Sequence, residues 1–501
     1  VPFGSYLIFL AAWSLLVYVP IAHWIWGHGF LEQWGVVDFG GGMVVHGAAG
    51  FSALASIYVI KKRLFGPGEE EKPSNVPLIA IGLGLLWFGW LGDKIGRQKV
   101  LAATLMIMAA STFAVGLLPG YAQIGIWAAV LLVVLKLIQG FSTGGEYAGA
   151  TTFVSEYAPD KRRGFFASFL DMGSYLGFAL GAALVSVLQL TLGQTAMEEW
   201  GWRIPFLIAG PLGLIAIYFR NKIEESPQFQ ATLDAQESIG QAAAAADVDA
   251  AKSPVGIVKA YWRSLIVAMV LVAAANTAGY ALTSYMPTYL TESKGYDPVH
   301  GTLLTIPVLV IMSLCIPLTG KLSDRIGRRP VLWIGAISTV VLATPAFLLI
   351  GVGEVWSTLA GLSLIAFPVT FYVANLASAL PAQFPTANRY SAMGIAYNFA
   401  VAIFGGTTPF IVAALIKATG DDMMPAYYLM ATSAIGAVAI YFLKESAQRP
   451  LPGSMPSVDT QAEAKELVAT QDENPLIDLD DMPFESQDAT DAAAAKVPAG
   501  V

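Results

Sequence analysis

Cysteine is almost missing from this sequence. Cys315 stands alone among 501 residues, so neither an intramolecular disulfide nor a cysteine metal cluster can form. Histidine is nearly as scarce, and His23, His28, His46 and His300 are too scattered for a zinc motif. No hydrolytic triad, nucleotide-cradling loop or metal-binding spacing is present, so an enzyme is not expected, nor is a metal or cofactor. The chain opens at Val1 without a methionine or a basic leader segment, so no signal peptide is read. Charge is the most telling shortage. Only 13% of residues are Asp, Glu, Lys or Arg, against about 25% in a soluble domain.

What fills the chain is apolar. Hydrophobic residues make up 55%, the mean hydropathy is +0.60, and apolar runs of about 18 to 25 residues recur, each long enough to cross a bilayer as a helix. The net charge of -8 is unevenly placed. Residues 451–501 hold eleven acids and two lysines, leaving about +1 for the remainder. That acidic end, poor in aromatics, is expected to be disordered from 446 to 501. No basic surplus suggests nucleic acid as a partner; the partner of the long runs is lipid.

One polar turn organises the rest. Gly89 to Lys99 reads Gly-Trp-Leu-Gly-Asp-Lys-Ile-Gly-Arg-Gln-Lys, and Gly320 to Pro330 reads Gly-Lys-Leu-Ser-Asp-Arg-Ile-Gly-Arg-Arg-Pro. Asp93 and Asp324 lie 231 residues apart, as do Arg97 and Arg328. A second echo, offset by 226, pairs Pro159 and Arg163 with Pro385 and Arg389. Two markers at nearly one spacing indicate a duplicated membrane unit, a feature of secondary transporters.

Taken in order, apolar runs cover Tyr6 to Trp26 and Asp38 to Ile60, and a run of 16 residues covers Val76 to Leu91. Ten further spans are expected at about 98–118, 124–157, 164–192, 201–220, 258–290, 300–320, 329–350, 356–380, 390–417 and 424–443. If Val76 to Leu91 only dips into the bilayer, the total is twelve and every basic loop faces one side; charge favours that count over thirteen. Lys94, Arg97, Lys161, Arg162, Arg163, Lys321, Arg325, Arg328 and Arg389 fall in alternate loops, which by the positive-inside rule are cytoplasmic, together with the C-terminal tail.

From Leu91 to about Pro452 the chain resembles the major facilitator superfamily. More narrowly it resembles the metabolite:proton symporter branch and its ProP-type proline/glycine-betaine carriers. The residues that carry this are the repeated turn, Lys136-Leu-Ile-Gln-Gly-Phe-Ser-Thr-Gly-Gly-Glu-Tyr147, Phe153 to Gly164, Trp200 to Phe206, Tyr285-Met-Pro-Thr-Tyr-Leu290 and Met423 to Leu429. Residues 1–90 instead resemble the ammonium transporter family through Tyr18 to Gly27, Asp38-Phe-Gly-Gly-Gly-Met-Val-Val-His46 and Trp87-Phe-Gly-Trp90. Trp26, Asp38 and His46 are the remnant of that family's pattern; its second pore histidine and most of its helices are missing. The chain therefore reads as a chimera joined near Phe88-Gly89.

The resemblance implies an all-α polytopic protein of the two-bundle facilitator type, its first one to two helices replaced by an ammonium-transporter-like hairpin. The expected divisions are the fragment 1–90, an incomplete first bundle 91–220, a cytoplasmic loop 221–257, a second bundle 258–445 and the tail. It also implies proton-coupled symport of proline, glycine betaine or ectoine in the cell membrane, impaired by the foreign first helix. An organic-acid symporter of the citrate, oxoglutarate or shikimate type is one alternative. An ammonium channel fragment or a non-functional fusion is another.

Three groups of site residues follow. The resemblance implies gating for Gly89, Asp93 and Arg97 and for Gly320, Asp324, Arg325 and Arg328; the plain alternative is charge that only sets topology. Ionisable groups inside spans cost about 2.5–3.5 kcal/mol each and usually face a cavity or a partner. Lys136, Gln139, Glu146 and Asp171 are thus candidates for a proton and substrate path, or else structural ties between helices. A quaternary ammonium is best held by aromatic faces, so Tyr280, Tyr285, Phe371 and Tyr372, with Asn276 and Asn375 for a carboxylate, are cage candidates. Each alone is more readily a packing or lipid-facing residue.

Overall fold

A backbone inside hydrocarbon must satisfy its own hydrogen bonds, and this chain does so with helices. The computed structural model describes residues 97–220 and 254–466, apart from 455, 461 and 464. Expectations that fall on residues 1–96, among them Gly89, Asp93, Trp26, Asp38, His46 and the twelve-or-thirteen count, lie outside the described residues.

The elements are α1 (Arg97–Leu117), α2 (Ile126–Tyr157), α3 (Arg163–Ala196), α4 (Arg203–Arg220), α5 (Pro254–Tyr280), α6 (Pro298–Ile326), α7 (Arg328–Gly351), α8 (Val355–Ala379), α9 (Arg389–Ala400), α10 (Thr408–Thr419) and α11 (Met424–Phe442). Wider π turns carry α5 on to Ser293 and join α9 to α10. Each of the ten spans expected between 98 and 443 corresponds to one of these helical runs. Eight of them are long and apolar enough to cross a membrane. α1, with 21 residues, is roughly 31 Å long, matching a hydrocarbon core of about 30 Å. The loop expected at 221–257 is shorter at its far end, because Pro254 opens α5; residues 221–253 lie outside the described residues.

Local chemistry sets the helix ends. Asp297 caps α6, its carboxylate accepting from the Val299 and His300 amides, with Pro298 at the first helical position. α6 stops at Gly327, whose φ of 104° is a conformation that L side chains rarely adopt. The turn motif needs its glycine there for that reason.

α1 to α4 form one bundle, with α1 against α2 and α4; α5 to α11 form the other, with α7 against α8 and α11 and α5 against α9 and α11. The bundles meet where α6 and α8 lie along α3 and where α9 lies on α2. Their apolar core is continuous across that meeting. Val100 and Ala148 of the first bundle join Leu271, Leu376 and Tyr390 of the second, while Tyr175 and Ala179 join Leu282, Met286 and Met312. Leu190, Leu214, Leu318, Trp356 and Phe442 point outward and exposed, as a lipid-facing surface requires.

The 226-residue echo is also geometric. Short 3-10 turns at Asp160–Arg162 and Thr386–Asn388 precede α3 and α9, and both helices begin on an arginine. Arg163 Nε donates to the Ser155 carbonyl at 3.0 Å, and Arg389 Nε donates to the Pro381 carbonyl at 3.2 Å, eight residues back in each case. The same local device at the same offset shows that this corner is duplicated.

Candidate functional site at the bundle interface

Two clusters lie between the bundles. The first is a seam on the face that bears the basic turns. Asp324, near the end of α6, accepts from the Gly164 and Phe165 amides at 2.8 Å each. Those amides belong to the first turn of α3, where backbone donors have no helical partner and the helix dipole favours negative charge. Arg328 Nη2 holds the same carboxylate at 2.7 Å and is itself fully buried. Gly320 explains the motif's first glycine. A Cβ there would come within 2.5 Å of the Gly164 carbonyl, and a Cβ at Gly164 within 2.7 Å of the Gly320 carbonyl. The helices cross with their backbones in contact, so this face is shut. Arg325 instead points outward and is exposed. Arg97 opens α1, and the first copy of the turn otherwise lies outside the described residues.

Beside this lock, Glu156 on α2 and Arg389 on α9 form an ion pair at 2.6 Å with both side chains fully buried. Ser155 Oγ donates across to the Ala377 carbonyl of α8 at 2.7 Å. Arg389 was legible in the sequence as the repeat partner of Arg163; Glu156 lacks a repeat mate and gave no signal of its role.

The chain after α11 completes the seam as a strap. Glu445 accepts from the Arg328, Ser446 and Ala447 amides at 2.9 Å and from the Arg329 amide at 3.0 Å. Burial pushes its carboxyl up, but these four amide donors outweigh that and hold it below the usual carboxylate range. Arg163 donates to the Arg449 carbonyl at 2.8 Å and Arg389 to the Pro452 carbonyl at 2.7 Å, so the two repeat-related arginines hold the strap from opposite bundles. The Asp160 amide donates to the Ser457 carbonyl and the Ser457 amide returns a bond to the Asp160 carboxylate. Disorder expected from residue 446 is thus corrected for the strap: Leu451 and Ser454 are buried, because the seam offers it paired donors from both bundles. Residues 467–501 lie outside the described residues.

The second cluster lies deeper. Asp171 on α3 is buried, and Tyr147 on α2 donates to its two carboxylate oxygens at 3.2 and 3.1 Å. The Tyr147 ring stacks on Tyr397 of α9, centroids 4.0 Å apart at 17°. Tyr397 lies close to Asn276 of α5. Tyr175 of α3 reaches across to α5, where Gly279 has no side chain to block its hydroxyl, and Gly405 leaves room for the Tyr280 ring beside Asn276. One carboxylate, four tyrosines and an amide from both bundles therefore share a single location.

Of the expected residues, Asp171, Asn276 and Tyr280 meet here; Tyr147, Tyr175 and Tyr397 were not foreseen. Tyr175 stands four positions, about one turn, after Asp171, and Tyr147 directly follows Glu146, so closeness to the ionisable residues was the available signal. Four cage candidates are not brought to this cluster. Tyr285 packs against Tyr289 inside the second bundle. Tyr372 shares a hydrogen bond with Ser433 of α11 at 2.8 Å. Phe371 lines an apolar groove between α6 and α8. Asn375 donates to the Phe371 carbonyl at 2.8 Å, and its buried Oδ1 has no hydrogen-bond partner among the described residues. Gln139 donates to Thr112 of α1 at 2.7 Å, Lys136 lies over the Phe206 ring at 5.9 Å, and Glu146 is half-buried on α2.

Comparison with known proteins bears on both clusters. The chain matches the sugar (and other) transporter family over residues 74–453 and the Ammonium Transporter Family over residues 1–128. The expected junction near Phe88-Gly89 falls where the two matches overlap. The chain is 52% identical over 410 residues to the ectoine/proline transporter ProP of Corynebacterium glutamicum, covering 81% of each chain. It is 44% identical over 434 residues to the proline/betaine transporter of Escherichia coli K12, covering 85% of this chain and 86% of that one. Among solved structures, the proton:xylose symporter XylE bound to 6-bromo-6-deoxy-D-glucose superposes with a TM-score of 0.57 at 18% identity, covering 84% of this chain and 96% of that one. At that identity the likeness speaks for the fold, a two-bundle multi-pass membrane architecture.

Proposed function

This chain belongs to the sugar (and other) transporter family, and from that premise we propose that it is a secondary transporter carrying proline, glycine betaine or ectoine together with protons. The observation that carries the reading is the buried Asp171 bonded by Tyr147, with Tyr397 stacked on that ring and Tyr175 and Tyr280 gathered at the same meeting of the bundles. A compact zwitterion needs a home for a cation that has few or no N–H groups to donate, and tyrosine faces supply it by cation–π attraction. An organic acid fits less well, because it offers no cation to the tyrosine faces. The names of the relatives point the same way.

Coupling follows from the charge balance of the cluster. Asp171 has a hydroxyl as its hydrogen-bond partner and no ion pair among the described residues. It holds a proton while the tyrosine faces hold the solute cation, and the loaded site carries no net charge. Alternating access comes from the seam. The basic face is cytoplasmic by the positive-inside rule, which also places the strap and tail there. Opening toward the cytoplasm breaks the Asp324 contacts to α3 and the Glu156–Arg389 pair and frees the strap from one bundle. Closing restores them.

The test is uptake of a substrate panel in a host without its own osmolyte carriers, beside a version in which the facilitator-type first helix is restored. Proline and betaine uptake above the empty host, stronger with the restored helix, is expected. Citrate or methylammonium uptake without proline uptake overturns the reading.

A further inference from the structure

The basic face also contains a pocket that the transport reading leaves unused. It has a volume of about 160 Å³ and lies where the bundles meet, lined by Lys161, Arg162 and Phe165 of the first, Lys321 and Arg325 of the second, and Gln448 of the strap. Its remaining polar wall, Asp324, is already held by Arg328 and two amides. Lys161 pairs with Glu463, and Arg162 with Asp459 at 3.0 Å, so acids of the strap reach its rim. Lys321 and Arg325 have no acidic partner among the described residues.

We propose that this pocket is the docking site for the acidic segment Asp472–Glu485 of the same chain. Three observations choose that occupant. The segment holds Asp472, Glu473, Asp478, Asp480, Asp481 and Glu485 and no basic residue, against two unmatched cations in the pocket. Its apolar members Leu479, Met482 and Phe484 suit the Phe165 wall. Its tether is short: the strap is anchored at the pocket rim through Glu463, and the fifteen residues from there to Asp478 span up to roughly 50 Å when extended. This docking goes beyond the substrate assignment and does not depend on it.

Crosslinking of the full chain in vesicles tests the proposal without a transport readout. With Cys315→Ser removing the lone cysteine, Lys321→Cys and Asp480→Cys are introduced together and treated with a short bismaleimide. Lys259→Cys with Asp480→Cys, on the same face at the start of α5, serves as the reference pair. The 321–480 pair is expected to crosslink at least about ten times faster than the reference. At 1 M salt, where the Debye length is about 3 Å, that advantage falls at least roughly five-fold. Asp478→Asn with Asp481→Asn lowers it similarly. Equal rates for the two pairs overturn the proposal, as does a rate unmoved by salt and by neutralisation. A 321–480 crosslink seen in phosphatidylcholine vesicles but lost with added phosphatidylglycerol assigns the pocket to an anionic lipid headgroup, which also overturns it.

Discussion

The buried pair Glu156–Arg389 allows the closed seam to be tested quantitatively. Removing one partner of a buried ion pair costs about 3–5 kcal/mol, because the other charge is left uncompensated. Arg389 would still be solvated by the carbonyls of Pro381, Phe384 and Pro452, so Glu156→Gln is expected to cost the closed state about 2–3 kcal/mol. When the bundles part, water reaches both groups and the loss vanishes. At 1.4 kcal/mol per tenfold, the balance shifts toward the open state by roughly 30- to 150-fold. Ser168 reports on that balance, since it is fully buried beside Gly320. In a Cys315→Ser, Ser168→Cys background, maleimide applied from the basic face should label the Glu156→Gln variant faster than its parent by a factor of that order, until the parent's open fraction saturates. Arg389→Gln should behave alike, and the double variant should fall well short of the sum of the singles. A labelling rate within two-fold of the parent, in properly inserted protein, would refute the view that this pair closes the face.

Three further outcomes are expected. Gly320→Ala places a Cβ against the Gly164 carbonyl, so it should also raise Ser168→Cys labelling and lower thermal stability by about 1–3 kcal/mol; unchanged labelling argues against a backbone crossing. Asp171→Asn should cut proton-driven uptake by roughly 10²-fold while leaving exchange of labelled for unlabelled proline within a few fold. If exchange is lost equally, Asp171 anchors the solute cation and the proton binds elsewhere. Glu445 is held below the usual carboxylate range by four amides, so its contribution is complete above an unfolded value of about 4.3 and is lost only as pH falls through the lowered folded value. Glu445→Gln should therefore cost about 1 kcal/mol at pH 7, and the difference in melting temperature between the two proteins should shrink below pH 4 and stay constant between pH 5 and 7.

The outcome for the tail is instructive about the limits of composition. Residues 446–457 contain prolines, serines and few large apolar side chains, which in isolation argue for disorder. Their order comes from donors such as Arg163 and Arg389, which sit up to 286 residues away along the chain. The cage shows the same limit from the other side. Tyr280 and Tyr285 are equally plausible aromatics on one apolar run. The first faces Asn276 beside Gly405, while the second packs onto Tyr289 within the bundle; five positions apart on one helical run, they leave it in different directions.

From sequence alone, spans, duplication and the sidedness of charge were determined, because each rests on a local cost: hydrocarbon selects apolar runs of fixed length, and loop arginines stay on one side. The 231- and 226-residue offsets already named Asp324, Arg328 and Arg389 as paired features. Tertiary structure alone decided what those residues touch. Glu156 meets Arg389 across 233 residues, and Asp324 meets the start of α3 across 160. Such partners are set by how two bundles cross, and that crossing depends on backbone approach at Gly164 and Gly320, which no pattern of neighbours along the chain encodes.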